Sequence, residues 1–194
     1  MTNYRGIFVS AGHAPWDPGA VSQGETEHAI TTKASMYLLG ELERKFQWSV
    51  TAVPTGHLNS KTAFVNEVIR NLDHDPTQYL AVEVHCNSFE TSQPNGYETL
   101  YHKLSTRGER AAKMIQEHLE VSIRGEDPDI YKFPLGLRSI QPRDNLAWLT
   151  QLPCTALILE LGFMSNPEDL RVLLDDRQLH NMMLILANAL TVSL

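Results

Sequence analysis

The chain alternates short apolar runs with longer amphipathic stretches. Gly6 to Ala11 (GIFVSA) is apolar and rich in β-branched residues, which predicts a buried strand. From about Glu25 to Lys45 the only Gly or Pro is Gly40, and Ile30, Ala34, Leu38 and Leu42 recur at helical spacing, so a long helix follows. Trp48 to Val53 predicts a second strand, stopped by Pro54 and Gly56. Phe64, Val65, Val68, Ile69 and Leu72 then form one stripe of a helix over Ser60 to Leu72. In Tyr79 to His85, Leu80, Val82 and Val84 alternate with Ala81, Glu83 and His85, the period of a strand. Asn95-Gly96 marks a turn, after which Tyr97 to Tyr101 is expected to pair with the Tyr79 strand like a hairpin.

Thr106 and Glu109 have the spacing of a capping box ahead of Ala112, Ile115 and Leu119, a helix that Gly125 and Pro128 bring to an end. Between Arg124 and Asp144 lies the longest irregular region, punctuated by Gly125, Pro128, Pro134, Gly136 and Pro142. Ile130, Phe133 and Leu135 make it too apolar for a disordered linker, so it is expected to form part of a groove wall. Thr155 to Phe163 is almost continuously apolar, as in a strand covered on both faces. Asn166-Pro167 has the N-cap and N1 residues of a helix start. A last helix from about Asp176 aligns Leu179, Met182, Met183, Leu186 and Leu190 towards the core.

Strands alternating with helices predict an α/β fold: a mostly parallel, mixed, twisted sheet of about six strands flanked by helices, hydrolase-like, in one domain spanning 1–194. A length of 194 residues suits a single core. Sixteen Lys and Arg against 23 Asp and Glu give a net charge of −7, which argues against broad nucleic-acid binding or attraction to an anionic membrane. Cys86 and Cys154 form no CxxC pair, so they read as small core residues near strands, not as a disulfide or a thiolate metal site. No apolar run approaches the ~20 residues of a membrane span. The N-terminal MTNYRGIFVSAGH has no signal-peptide pattern, so synthesis in the cytoplasm is expected.

Ligands of α/β sheets collect beyond the carboxyl ends of the strands. His13 follows the first strand, His85 ends the Tyr79 strand, and Glu160 lies near the end of the Thr155 strand. Glu27 lies in the first turn of the long helix, where the intervening loop can return it to His13. Two histidines and a carboxylate with an open position meet the needs of a catalytic zinc ion. Taken singly, each also has a structural reading: a hydrogen-bonded histidine at a strand end, or a glutamate favouring a helix N-terminus. Glu160 interrupts an apolar run with a charge. A carboxylate there is either paired, with Arg138 or Arg143 for example, or used, since desolvation raises its pKa towards that of a general base and acid.

These segments, taken together, resemble the zinc-dependent N-acetylmuramoyl-L-alanine amidases. The motifs are Ala11-Gly12-His13, Asp17-Pro18-Gly19-Ala20, Gly24 followed by Glu27, the strand Val82 to Asn87, then Gly96, Glu98 and Tyr101, and last Glu160 to Asn166. All fall in the family's order over nearly the whole chain. The resemblance implies His13, Glu27 and His85 as zinc ligands, Glu160 as the catalytic carboxylate, and peptidoglycan as substrate. The bond cleaved would join N-acetylmuramic acid to L-alanine. It also implies action on the cell wall; without a signal pattern the chain is expected to reach it after release, as a bacteriolytic phage endolysin or phage-tail-like effector does, and its length and short apolar runs predict no separate wall-binding domain and no membrane insertion. The chain departs from the family in having Ala14 and Pro15 where two glycines are usual, and Lys61 where an arginine precedes the helix Asn66. In place of a small residue it carries Glu83, two places before His85, which would orient a ligand or add negative charge. Trp16 would either stack on a sugar or cover the core edge. Two other functions share these features: a non-catalytic wall-binding or tail-structural module, and a zinc peptidase acting on the stem peptide.

Overall fold

Apolar runs too short for helices form the centre of the sheet, and the amphipathic stretches cover it. The computed structural model describes residues 4–45, 49–72, 74–125 and 132–192. Along the chain come β1 (Gly6–Ala11), β2 (Val21–Ser22), β3 (Glu25–Thr26), α1 (Glu27–Lys45), β4 (Ser49–Ala52), α2 (Leu58–Asn71) and β5 (Tyr79–Asn87). There follow β6 (Glu98–His102), α3 (Thr106–Arg124), β7 (Gln141–Arg143), α4 (Ala147–Thr150), β8 (Thr155–Phe163), α5 (Pro167–Leu174) and α6 (Asp176–Val192). Six strands make one mixed sheet in the order β4-β1-β5-β8-β6-β7, and only the β6–β8 pair is antiparallel.

Alternation along the strands separates two apolar layers. Ile7, Val9, Leu80, Val82, Leu157 and Leu159 pack with residues of α1, α3, α5 and α6. Phe8, Ala81, Ala156 and Ile158 pack on the other face with Val65 and Ile69 of α2 and Trp148 of α4. The stripe Leu179, Met182, Met183, Leu186 and Leu190 is fully buried, as its spacing predicts. At about 25 cal/mol per Å² of apolar surface, these two layers supply the main favourable term in folding.

The structure corrects the sequence reading at five places. The Tyr97 strand does not pair with the Tyr79 strand, because β8 lies between them and β6 runs antiparallel to β8. Ser105, not Thr106, caps α3, its hydroxyl accepting the Gly108 N–H at 2.9 Å. Gln23 and Gly24 both have positive φ, at 53° and 86°, the signature of a tight turn joining β2 to β3, so α1 starts only at Glu27. β7 was not anticipated, since Pro142 weakens a strand signal; an edge position tolerates it. Among its described residues the Arg124–Asp144 stretch lines no part of the main cleft; Phe133 and Leu135 are core residues instead. Trp48, Pro128 and Ile130 lie outside the described residues.

Asn166 caps α5 as expected, accepting from the Glu168 and Asp169 N–H groups. Cys86 is buried in β5, and Cys154 is half-buried just before β8. No described helix is long and apolar enough to cross a membrane.

Candidate active site

Parallel β1, β5 and β8 end at the same edge of the sheet. From β1 the chain passes through α1 to β4 on one side, whereas β5 lies on the other side, so a crevice opens between β1 and β5. His13 follows β1 and His85 lies near the end of β5. Glu160 of β8 stands in register with His85 on one side and with Glu98 of β6 on the other. By alternation Glu83 and His85 emerge with Ala81, and Glu160 with Ile158, on the face covered by α2 and α4.

The loop after β1 folds back on itself. Ala14 and Asp17 exchange two backbone hydrogen bonds, at 3.1 and 2.9 Å, with Pro15 and Trp16 at the tip. His13 adopts φ 61°, a left-handed backbone that a histidine takes only under constraint. Its Nδ1 lies 3.0 Å from Asp17 Oδ2, leaving Nε2 turned inward, 3.0 Å from Glu27 Oε2. The other Glu27 oxygen, Oε1, lies 2.9 Å from His85 Nδ1. Backbone N–H groups of Ala20 and Cys86 donate to the same two oxygens, each at 3.0 Å. One buried carboxylate thus bridges two imidazoles, and one ligand atom from each of the three residues falls within 4.8 Å of the others.

Electrostatics tie the trio together. Burial opposes ionisation of Glu27, but hydrogen bonds from His13 and His85 outweigh it and hold the carboxyl well below its usual range. The hydrogen bond to Glu27 raises the His13 pKa. Burial works against a charge on His85, yet Glu27 and Glu83 raise its pKa all the same. Two imidazole nitrogens and one carboxylate oxygen are the donor set of a zinc site with room for a further ligand. The residues fit such an ion.

Glu160 differs from every other carboxylate in the cleft. Its Oε2 is buried without a hydrogen-bond partner, an uncommon state for a native polar atom. Arg138 binds Glu98 instead, at 2.9 Å, and also lies over the Phe163 ring. Burial, with Glu27 and Glu98 nearby, pushes the Glu160 carboxyl up to about 7, although His85 draws it down. His13, His85 and Glu160 line a cleft of about 490 Å³ walled by Trp16, His57, Leu58 and Trp148, a volume suited to a small substrate portion. Trp16 is 59% exposed with its ring 5.2 Å from that of His57, so it flanks the cleft and does not cover the core edge.

Residues 7–192 match the model of a family described as N-acetylmuramoyl-L-alanine amidase. The chain belongs to that family. Its activity class is accordingly that of a peptidoglycan amidase. A search of curated proteins finds no match. Among solved structures, it resembles the CwlD amidase of Clostridioides difficile in complex with the GerS lipoprotein (23% identity, 97% of this chain and 98% of that one, TM-score 0.78). It also resembles the catalytic domain of CwlV from Bacillus (Paenibacillus) polymyxa var. colistinus (20% identity, 97% of each chain, TM-score 0.78). A third is the catalytic domain of the CD27L endolysin targeting Clostridia difficile (18% identity, 97% and 98%, TM-score 0.67). At these identities the likeness establishes the shared fold.

The four residues that the amidase resemblance singled out come together at one edge of the sheet. Sequence reasoning missed what surrounds them: Asp17 as the partner of His13, the backbone donors to Glu27, and the walls at His57 and Trp148. Only Asp17, inside a motif, carried any local signal. Gly19, in the same motif as Asp17, serves the site by leaving space. A Cβ there would stand 2.6 Å from both Glu27 Oε2 and His13 Cδ2, on a backbone at φ 67°. Gly24, at φ 86°, has nothing within 4 Å of such a Cβ. Gly24→Ala should cost only the left-handed backbone penalty of roughly 1–2 kcal/mol. Gly19→Ala adds the clash, about 1–3 kcal/mol more, and displaces the site. Thermal melts should therefore rank Gly19→Ala below Gly24→Ala, and hydrolysis should collapse only in the former.

Proposed function

We propose that His13, Glu27 and His85 hold a zinc ion, and that Glu160 is the catalytic base and acid in hydrolysis of the bond between N-acetylmuramic acid and L-alanine. The reading rests chiefly on the unpartnered, buried Oε2 of Glu160 in a cleft lined also by His13 and His85, the two imidazoles that Glu27 bridges. Zinc, when bound, supplies Lewis acidity, drawing the pKa of a water from ~15.7 towards ~7 and polarising a carbonyl. The protein's own part is proton transfer and positioning. Glu160, whose carboxyl burial raises to about 7 in the metal-free protein, takes the proton of the attacking water and returns it to the departing alanine amine. Asp17 accepts the Nδ1–H of His13 and so presents the Nε2 lone pair to the ion. Trp16 and His57 give the cleft an aromatic rim for the sugar end of the substrate.

The fold shared with an endolysin catalytic domain fits a bacteriolytic role on the cell wall after release, with residues 1–194 acting as one catalytic domain. A purely wall-binding module has no use for an unpaired buried carboxylate, which costs about 1–3 kcal/mol in stability. Incubation of the zinc-loaded protein with purified peptidoglycan should release intact stem peptides with L-alanine at their new amino termini, and no new reducing sugar ends. New amino termini within the stem peptide would instead make the protein a peptidase, and reducing ends a glycosidase.

A further inference from the structure

Beside the ligand trio, at the wall of the same cleft, lies a second group of almost fully buried charges that catalysis does not account for. Glu83 and Lys61 are both about 3% exposed. The two Glu83 oxygens have separate partners. Oε1 accepts from Ser10 Oγ and from Lys61 Nζ, each at 3.1 Å, while Lys61 also donates to the Ala11 carbonyl at 2.5 Å. Oε2 lies 3.2 Å from His85 Nε2, the ring nitrogen opposite the one that faces Glu27. One oxygen is anchored to β1 and α2, and the other lies within ion-pair distance of the imidazole.

Such an arrangement is expensive for the fold. A buried ion pair gains little over well-packed apolar residues, and Ala81, its neighbour on the same face of β5, packs in an apolar layer. The chemistry of imidazole supplies the reason to keep it. An acceptor at Nε2 requires a proton there, which leaves the Nδ1 lone pair free to bind a metal. Asp17 does the same for His13 from the opposite ring nitrogen. A carboxylate in this position fixes the ring and makes it a better donor, and losing it typically weakens metal affinity by about 10–100-fold.

We infer that Glu83, held by Lys61 and Ser10, is a positioning residue for His85, fixing its Nε2–H tautomer and ring orientation and thereby tightening metal binding at Nδ1. The inference rests on the zinc site proposed above. Ser10 and Lys61 are the anchor, so the unit runs from β1 and α2 through β5 to the ligand.

The test is zinc affinity of the metal-stripped full chain, measured by competition with a chromophoric chelator, alongside thermal melting without metal. Glu83→Ser alone leaves Lys61 buried and unpaired, so the decisive variant is Glu83→Ser combined with Lys61→Met, which removes both charges. It should remain folded and bind zinc about 10–100-fold more weakly. Glu83→Gln keeps an acceptor oxygen without the charge and should fall between the two. If the native chain binds zinc and a folded double variant binds it equally well, the inference is overturned and the zinc site stands. Should the double variant fail to fold, Glu83→Gln decides: affinity equal to native overturns the inference, and a loss of several-fold supports it. A native chain that binds no zinc refutes the zinc site itself.

Discussion

Glu160→Gln is expected to slow hydrolysis by about 10²–10⁴-fold, the usual worth of a positioned general base, while leaving zinc affinity near native. The same substitution should make the metal-free protein more stable above neutral pH. The Glu160 carboxyl has an ordinary value of 4.5 and is raised to about 7 in the fold, chiefly by burial. Between those two pH values the unfolded chain gives up this proton and the folded chain retains it, so stability falls as pH rises across the window. Above about 7 the full penalty applies. Because part of the side chain faces the cleft, the penalty is on the order of 1–3 kcal/mol. Glutamine carries no charge to desolvate. Melting curves of the metal-free proteins should thus coincide near pH 4 and separate by several degrees at pH 8, with the variant higher. In the native enzyme, activity should be lost as pH falls through a limb at or below about 7, since a bound cation adds attraction for the ionised carboxylate.

Glu27→Ala is the second large effect. It removes one of the proposed zinc ligands, so affinity should fall by more than the roughly 10–100-fold expected when only a partner of a ligand is lost. It also leaves two imidazoles without the carboxylate that joins them. In the metal-free protein Glu27 is held below its ordinary 4.5, so its contribution is complete above that pH and is lost as pH falls through the depressed folded value. His13 and His85 are raised above their ordinary 6.5, so their contributions are complete below 6.5 and are lost as pH rises through the folded values. The trio therefore stabilises the metal-free fold most between about 4.5 and 6.5. A melting-temperature profile of the native chain should have its maximum contribution from the site in that window, and Glu27→Ala should flatten it. Zinc competes with these protons for the imidazoles, so its affinity should rise with pH over the same groups.

How far the sequence reached depended on whether a feature was local. β1 and β8 were legible because buried parallel strands are continuous apolar runs, β5 because its apolar residues alternate, and α6 because five core residues repeat at helical spacing. The position of β6 was not. Its residues look the same whether the neighbour is β5 or β8, and the choice is made by a strand more than fifty residues further on. β7 escaped for the opposite reason, being three residues long with Pro142 at its centre. The Gln23-Gly24 turn was hidden because Glu25 and Thr26 are compatible with a helix start, and only the paired positive φ values separate them from it.

The same division runs through the site. His13, Glu27, His85 and Glu160 were legible because each stands at a strand end or helix start, within a motif. Glu83 was visible as a departure, and Lys61 as another, but their meeting depends on how α2 crosses the sheet to place Lys61 Nζ beneath β1 and β5. No spacing rule links positions 61 and 83. The groove wall was misplaced because Phe133 and Leu135 were apolar enough to suggest a binding surface, and they serve the core instead. Of the walls, Trp16 was visible in the sequence, whereas His57 and Trp148 are isolated aromatic residues that gave no sign there.

On the proposed reading, His13, Glu27 and His85, distant in the chain, hold one divalent ion over which Glu160 acts. The most direct measurement is zinc titration of chelator-stripped protein, following bound metal and release of L-alanine amino termini from peptidoglycan in the same samples. Hydrolysis should be absent at the start, return in step with bound zinc, and saturate at one ion per chain. Full hydrolysis after stripping, or a tight zinc stoichiometry unaltered by His13→Ala and His85→Ala together, would contradict it.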